Sequence, residues 1–166
     1  MAERMPQPAD PAAAVIAELT RRSLRIAVAE SLTGGLVVAE LTRIPGASLV
    51  VNGGVVAYDT GVKHTVLGVS AELLAHEGAV HPEVARQMAD GVRRVLAVDG
   101  RPADLGIATT GVAGPDPQDG KPVGTVYLGV AMGDDVESIA LDLPGDRSEI
   151  RAATVRAAIG ALLDRL

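Results

Sequence analysis

Two periods of apolar positions alternate along the chain. Short unbroken or alternating apolar runs at Ile26–Ala29, Leu49–Tyr58, Leu105–Thr109, Gly124–Met132 and Val136–Leu143 predict strands. Between them, apolar residues recur at helical spacing. Asp10 and Pro11 suit the cap and first position of a helix whose apolar side is Val15, Ile16 and Leu19. Val37, Val38, Leu41 and Ile44 mark a helix over Gly34–Arg43, stopped by Pro45-Gly46. Val62–Leu67 reads as a short helix carrying Lys63, and Ser70 caps another through His76. Pro82 opens a long helix with Val84, Met88, Val92 and Val95 on its buried stripe. Asp146-Arg147-Ser148-Glu149 has capping-box spacing ahead of a final helix striped by Val155, Ile159, Leu162 and Leu166. Gly133-Asp134-Asp135 reads as a hairpin turn. The pattern predicts an α/β fold. It is a three-layer α/β/α single domain with a mixed sheet of about five strands, the last two an antiparallel hairpin. Residues 1–10 read as a flexible lead-in to one domain over 11–166.

Composition narrows the function. At 166 residues and 48% hydrophobic, the chain suits one domain with a real core. Tyr58 and Tyr127 are its only aromatic residues, so stacking platforms for single-stranded nucleic acid are lacking. A formal charge of −6 argues against a general phosphate-backbone binder. It leaves room for a small anion held by a local arginine cluster. The absence of cysteine excludes thiolate metal sites, disulfides and a cysteine nucleophile. His64, His76 and His81 lack metal-ligand spacing, so no metal is expected. No run reaches the length of a membrane span, and the N-terminal residues lack a signal-peptide pattern. A cytoplasmic protein that binds neither membrane nor nucleic acid is the expectation.

The candidate chemistry gathers after the strands. Ala29-Glu30-Ser31-Leu32-Thr33-Gly34-Gly35 joins a strand, a tight polar turn and a helix start. Unpaired N–H groups at that start can face a ligand or an oxyanion. Ser31 is either a nucleophile presented on a strand-to-helix turn or, like Thr33, a helix cap. A serine nucleophile needs a base, and Lys63 is the available amine if burial lowers its pKa. Tyr58 could relay a proton or orient Lys63. The alternatives are a solvated lysine and a packing tyrosine. Thr110, Gly111 and Gly114 follow the third buried strand, where open α/β sheets place ligands. Arg147 and Arg151 stand near the start of the final helix, where the dipole disfavours cations. Either an anion binds there or nearby carboxylates such as Asp146 and Glu149 pair with them.

In order, several segments resemble the CinA C-terminal domain family, the nicotinamide-nucleotide amidases. They are Ala29–Gly35, Ile44–Ser48, Tyr58 with Lys63–Val69, Gly78–Val80, Thr110–Pro115, Lys121–Tyr127 and Gly145–Arg147. The resemblance runs from about Ile26 to Leu166. It implies hydrolysis of the carboxamide of nicotinamide mononucleotide to nicotinic acid mononucleotide and ammonia, a step in pyridine nucleotide recycling. It implies Ser31 as nucleophile with Lys63 and Tyr58 as partners. Substrate-binding positions would be Glu30, Thr33, Gly34, Gly35, Thr110, Gly111, Gly114, Arg147 and Arg151. It further implies a stand-alone amidase that assembles as a homo-oligomer, a dimer. Leu32 replaces the usual Cys, Asp59-Thr60-Gly61-Val62 replaces a Ser-Asn-Glu-Ala-like stretch, and Asp116–Asp119 replaces a glycine-rich run. His81 stands where Ser is common, and Pro144 where an aromatic often precedes Gly-Asp-Arg. A nucleotide-binding or regulatory domain without turnover is the alternative. The retained Ser31, Tyr58 and Lys63 favour the enzyme.

Overall fold

The computed structural model describes residues 9–166. Most of the expected lead-in, residues 1–8, lies outside the described residues, and Asp10 already belongs to the fold as the cap of the first helix. The elements follow the predicted order: α1 (Pro11–Arg22), β1 (Ile26–Glu30), α2 (Leu36–Thr42), β2 (Val51–Val56), α3 (Thr60–Thr65) and α4 (Ala71–Glu77). Then come α5 (Pro82–Val95), β3 (Leu105–Gly111), β4 (Thr125–Met132), β5 (Asp135–Asp142) and α6 (Arg147–Arg165). One mixed sheet runs β2-β1-β3-β4-β5. β1 is parallel to both β2 and β3. β4 is antiparallel to β3 and to β5, and Met132 pairs with Asp135 across the expected hairpin turn.

Boundaries shift where backbone geometry overrides the apolar pattern. α2 begins at Leu36 rather than Gly34, because Gly34 (φ 59°) and Gly35 (φ 104°) occupy left-handed conformations that a helix cannot include. The second apolar run begins with a 3₁₀ turn at Ala47–Leu49, so β2 starts only at Val51. β3 runs on through Thr110 to Gly111, which carries the strand directly into the site. The buried stripe of α6 is Ile150, Thr154, Ala158, Ile159, Ala161 and Leu162, with Val155 only half-buried. Small residues at 154, 158 and 161 turn toward the neighbours, so close packing rather than side-chain size sets that face.

The sheet separates two cores. Ile26, Val28, Leu105, Ile107, Val126, Leu128 and Val130 join α1, α2 and α6 on one face. Ala27, Ala29, Ala108 and Ala131 join α5 and residues of the α3–α4 region on the other. The second face is lined by small residues because α5 lies close: a Cβ at Gly106 or Gly129 would collide with the Ala89 or Ala85 carbonyl. Among the described residues no helix is long and apolar enough to cross a membrane.

Candidate active site

Because β1, β2 and β3 are parallel, their C-terminal ends lie together, and the loops that follow them converge. β1 ends in Glu30, which is fully buried. Its carboxylate accepts from the N–H groups of Val37 (2.8 Å) and Val38 (3.1 Å) in the first turn of α2. A buried carboxylate with two backbone donors at a helix start is satisfied there. Glu30 thereby ties the strand end to the helix and closes the Ser31–Gly35 loop on itself.

Ser31 is then held by β3. Its N–H donates to the Thr109 carbonyl at 3.1 Å, with the Thr109 hydroxyl at 3.3 Å. The Thr33 and Thr109 hydroxyls are 2.8 Å apart. The Gly34 N–H donates to the Ser31 carbonyl. The N–H groups of Leu32, Thr33 and Gly35 have no protein acceptor among the described residues.

The opposite wall comes from β2 and α3. Asp59 caps α3 by accepting from the Gly61 N–H at 2.7 Å, and α3 turns Lys63 inward until only 1% of it is exposed. Lys63 Nζ lies 3.0 Å from Ser31 Oγ, 2.7 Å from the Ala57 carbonyl and 3.3 Å from the Tyr58 carbonyl. Burial pushes the amine down to about 8, opposed by the negative charge of Asp59. In the neutral form the two N–H bonds can serve the two carbonyls. The lone pair then points at the Ser31 hydroxyl.

The Tyr58 side chain, offered as a proton relay or as a group that orients Lys63, makes no hydrogen bond to Ser31 or to Lys63 among the described residues. It is 60% exposed, and its hydroxyl accepts from Arg147 Nη2 at 3.1 Å. Lys63 reaches the main-chain carbonyl of Tyr58 instead. Arg147 Nη1 also donates to the Gly114 carbonyl at 2.7 Å and so spans the rim from β2 to the β3–β4 loop. Asp146 and Glu149, offered as ion-pair partners for the two arginines, form the capping box of α6 instead. Neither arginine has a carboxylate partner among the described residues.

A pocket of about 190 Å³ opens between these walls. Ser31, Tyr58, Lys63, Gly111, Gly114 and Arg147 line it, together with Leu32, Val80, Asp116 and Gln118. The side chains of Glu30, Thr33, Thr110 and Arg151, and Gly34 and Gly35, are not part of that lining. The Thr110 hydroxyl donates to the Ala79 carbonyl at 2.7 Å. Arg151 reaches the carbonyls of Leu32 and Thr33. Sequence reasoning missed Thr109 and the Ala57 carbonyl. The Thr109-Thr110-Gly111 run at a strand end was the available signal for the first. The second, a main-chain atom, has none. Among the described residues no His, Asp or Glu cluster has metal-binding geometry.

Fold and site together define an α/β domain with a buried Ser–Lys pair at the C-terminal ends of parallel strands. The CinA C-terminal domain family model matches residues 9–166, and the chain belongs to that family. A CinA-like protein of Frankia casuarinae is 50% identical over 145 residues, covering 87% of this chain and 32% of that protein. A CinA-like protein of Gemmatimonas aurantiaca is 47% identical over 160 residues, covering 95% and 35%. The chain thus spans about a third of the length of these curated relatives. Solved structures match along nearly their whole length. The competence/damage inducible protein CihA from Agrobacterium tumefaciens superposes with a TM-score of 0.86 at 36% identity, covering 97% of this chain and 98% of that one. A CinA superfamily protein from Escherichia coli gives 0.88 at 30% identity, with coverage of 98% and 96%.

Proposed function

We propose that this domain hydrolyses the carboxamide of nicotinamide mononucleotide, releasing ammonia and nicotinic acid mononucleotide, through an acyl-enzyme on Ser31. The observation that carries the reading is Lys63 Nζ, buried and 3.0 Å from Ser31 Oγ, with its pKa lowered to about 8. Neutral Lys63 takes the Ser31 proton as Oγ attacks the amide carbon. The tetrahedral oxyanion is met by N–H groups of the Leu32–Gly35 turn. The C–N bond then breaks, and the Lys63 ammonium returns its proton to the departing nitrogen, which leaves as ammonia. Water attacks the ester, Lys63 takes its proton, and the acid is released with Ser31 restored. No step calls for a metal or an organic cofactor.

Arg147 is the residue we assign to the substrate phosphate. It lines the pocket, carries no carboxylate partner among the described residues, and holds only neutral oxygens, the Gly114 carbonyl and the Tyr58 hydroxyl. An anion would be the stronger acceptor. Incubation with nicotinamide mononucleotide, with ammonia and the acid product both assayed, tests the function. Equal yields of the two that vanish in Ser31→Ala are expected. Binding of the nucleotide without ammonia release would point instead to a nucleotide-binding domain.

A further inference from the structure

The final helix lays two arginines on the loops of the site, and only Arg147 lines the pocket. Arg151 grips the nucleophile turn through its main-chain carbonyls. Its Nε donates to the Leu32 carbonyl at 2.9 Å, and its Nη2 reaches the Thr33 carbonyl at 3.5 Å. The guanidinium also lies over Gly34, where a Cβ would come within 3.3 Å of Nη2. It therefore occupies space that any other residue at position 34 would contest. Arg151 has no carboxylate partner among the described residues, so its charge falls on these peptide groups.

That placement has an electronic consequence. The Leu32 carbonyl belongs to the same peptide unit as the Thr33 N–H. A cation donating to the oxygen of an amide polarises it and makes its N–H a stronger donor. The Thr33 N–H has no protein acceptor among the described residues. The Thr33 carbonyl shares its peptide with the Gly34 N–H, which donates to the Ser31 carbonyl and fixes the turn. We infer that Arg151 is a positioning residue for acyl transfer: it orients and polarises the Leu32–Thr33 peptide so that its N–H stabilises the oxyanion formed at Ser31. The inference rests on the Ser31 acyl-transfer reading. A phosphate role for Arg151 conflicts with its place, since its donors are taken up by the main-chain carbonyls of Leu32 and Thr33.

Arg151→Ala and Arg151→Lys test it, with kcat and KM measured separately on nicotinamide mononucleotide. Loss of one oxyanion donor costs on the order of a hundredfold in kcat, so Arg151→Ala should lose about that much while KM stays within roughly threefold. Arg151→Lys should recover little, because one ammonium does not reproduce the planar fork. Ethylguanidine in the assay should restore part of the kcat of Arg151→Ala and leave Ser31→Ala inactive. A raised KM with unchanged kcat would overturn the inference, as would failure of ethylguanidine to restore any activity. If Arg151→Ala does not fold, the same kcat and KM comparison on Arg151→Lys decides. Labelling of Ser31 by a fluorophosphonate runs in parallel, because it develops an oxyanion there without needing the nucleotide. Slowed labelling in the Arg151 variants sustains the inference even where nicotinamide mononucleotide is not turned over. Equal rates in parent and variants overturn it. A parent protein with neither turnover nor labelling would overturn the Ser31 reading and this inference together.

Discussion

The turn after β1 and the loop after β3 border the same pocket and are built in opposite ways. The first is short and buried over its first three residues: Ser31 is 8% exposed and Thr33 fully buried, while Gly34 is exposed. Glu30, Thr109 and Arg151 each hold it from a different side. The second runs from Val112 to Gly124 and exposes Asp116 through Gly120. It is tied at its base by Val112 and Gly124, by a Gln118–Lys121 backbone pair within it, and by Arg147 on the Gly114 carbonyl. The difference separates tasks. A reacting hydroxyl has to be held to a fraction of an ångström, which needs a turn tied to its neighbours on several sides. A rim that meets the outer part of a ligand needs fewer constraints, and few internal bonds leave it the less stable segment.

The largest effect should come from the tight turn. On the proposed mechanism Ser31→Ala removes the nucleophile and should lower kcat by roughly 10⁴-fold or more. Its melting temperature should stay near that of the parent, since the hydroxyl meets only Lys63 among the described side chains. A folded variant with near-normal turnover would break the division of tasks at its root.

Lys63 follows. Its amine is protonated below about 8 and neutral above, so activity should rise with pH through that region and then level off. Lys63→Arg should be inactive at every pH, because guanidinium does not give up its proton in proteins. Stability should move in the same direction. With the folded-state pKa lowered from 10.5 to about 8, the unfolded chain binds more protons between those values. The stability of the parent relative to Lys63→Met should therefore grow from pH 8 towards 10.5 and stay constant below 8. Urea unfolding of both proteins at pH 7.5 and 10 measures it.

Arg147 sharpens the contrast from the rim. One charge-assisted contact is worth about 1.5–3 kcal/mol, so Arg147→Ala should weaken binding of nicotinamide mononucleotide roughly 10- to 150-fold. It should leave nicotinamide riboside, which lacks the phosphate, little changed. Kinetics on the two substrates check this, and unchanged discrimination would place phosphate recognition elsewhere on the rim.

The smallest effects compare the loops by stability alone. Glu30→Gln keeps the shape, but its amide nitrogen cannot accept, so one of the two buried hydrogen bonds is lost and the other loses its charge; it should cost about 2–3 kcal/mol, or roughly 4–12 °C in melting temperature. Asp116→Ala, at an exposed position without a hydrogen-bond partner among the described residues, should stay within about 0.5 kcal/mol. Equal losses would erase the difference between the loops.

Much of this was legible in the chain. Asp10, Ser70 and the Asp146–Glu149 box cap the helices they were read to cap. Pro11 and Pro82 open theirs, and the hairpin after β4 forms at Gly133-Asp134. These signals are local, so sequence spacing carries them. What stayed hidden depends on distant partners. The β3 end meets Ser31 through Thr109, which lies 78 residues away in sequence. Arg151 meets Leu32 over a separation of 119 residues. An arginine at a helix start signals an anion or an ion pair, and nothing in its spacing shows that main-chain carbonyls take it up. Tyr58 shows the same limit: the residue was picked out, but its carbonyl serves Lys63 and its hydroxyl serves Arg147.

Intact-mass measurement after a rapid acid quench, taken while the enzyme turns over saturating nicotinamide mononucleotide, tests the Ser31–Lys63 chemistry most directly. The account predicts a parent population heavier by one nicotinoyl mononucleotide, the added mass mapping to Ser31 after digestion. Ser31→Ala should carry none. Continuing ammonia release with the adduct on another residue, or from a folded Ser31→Ala protein, would contradict it.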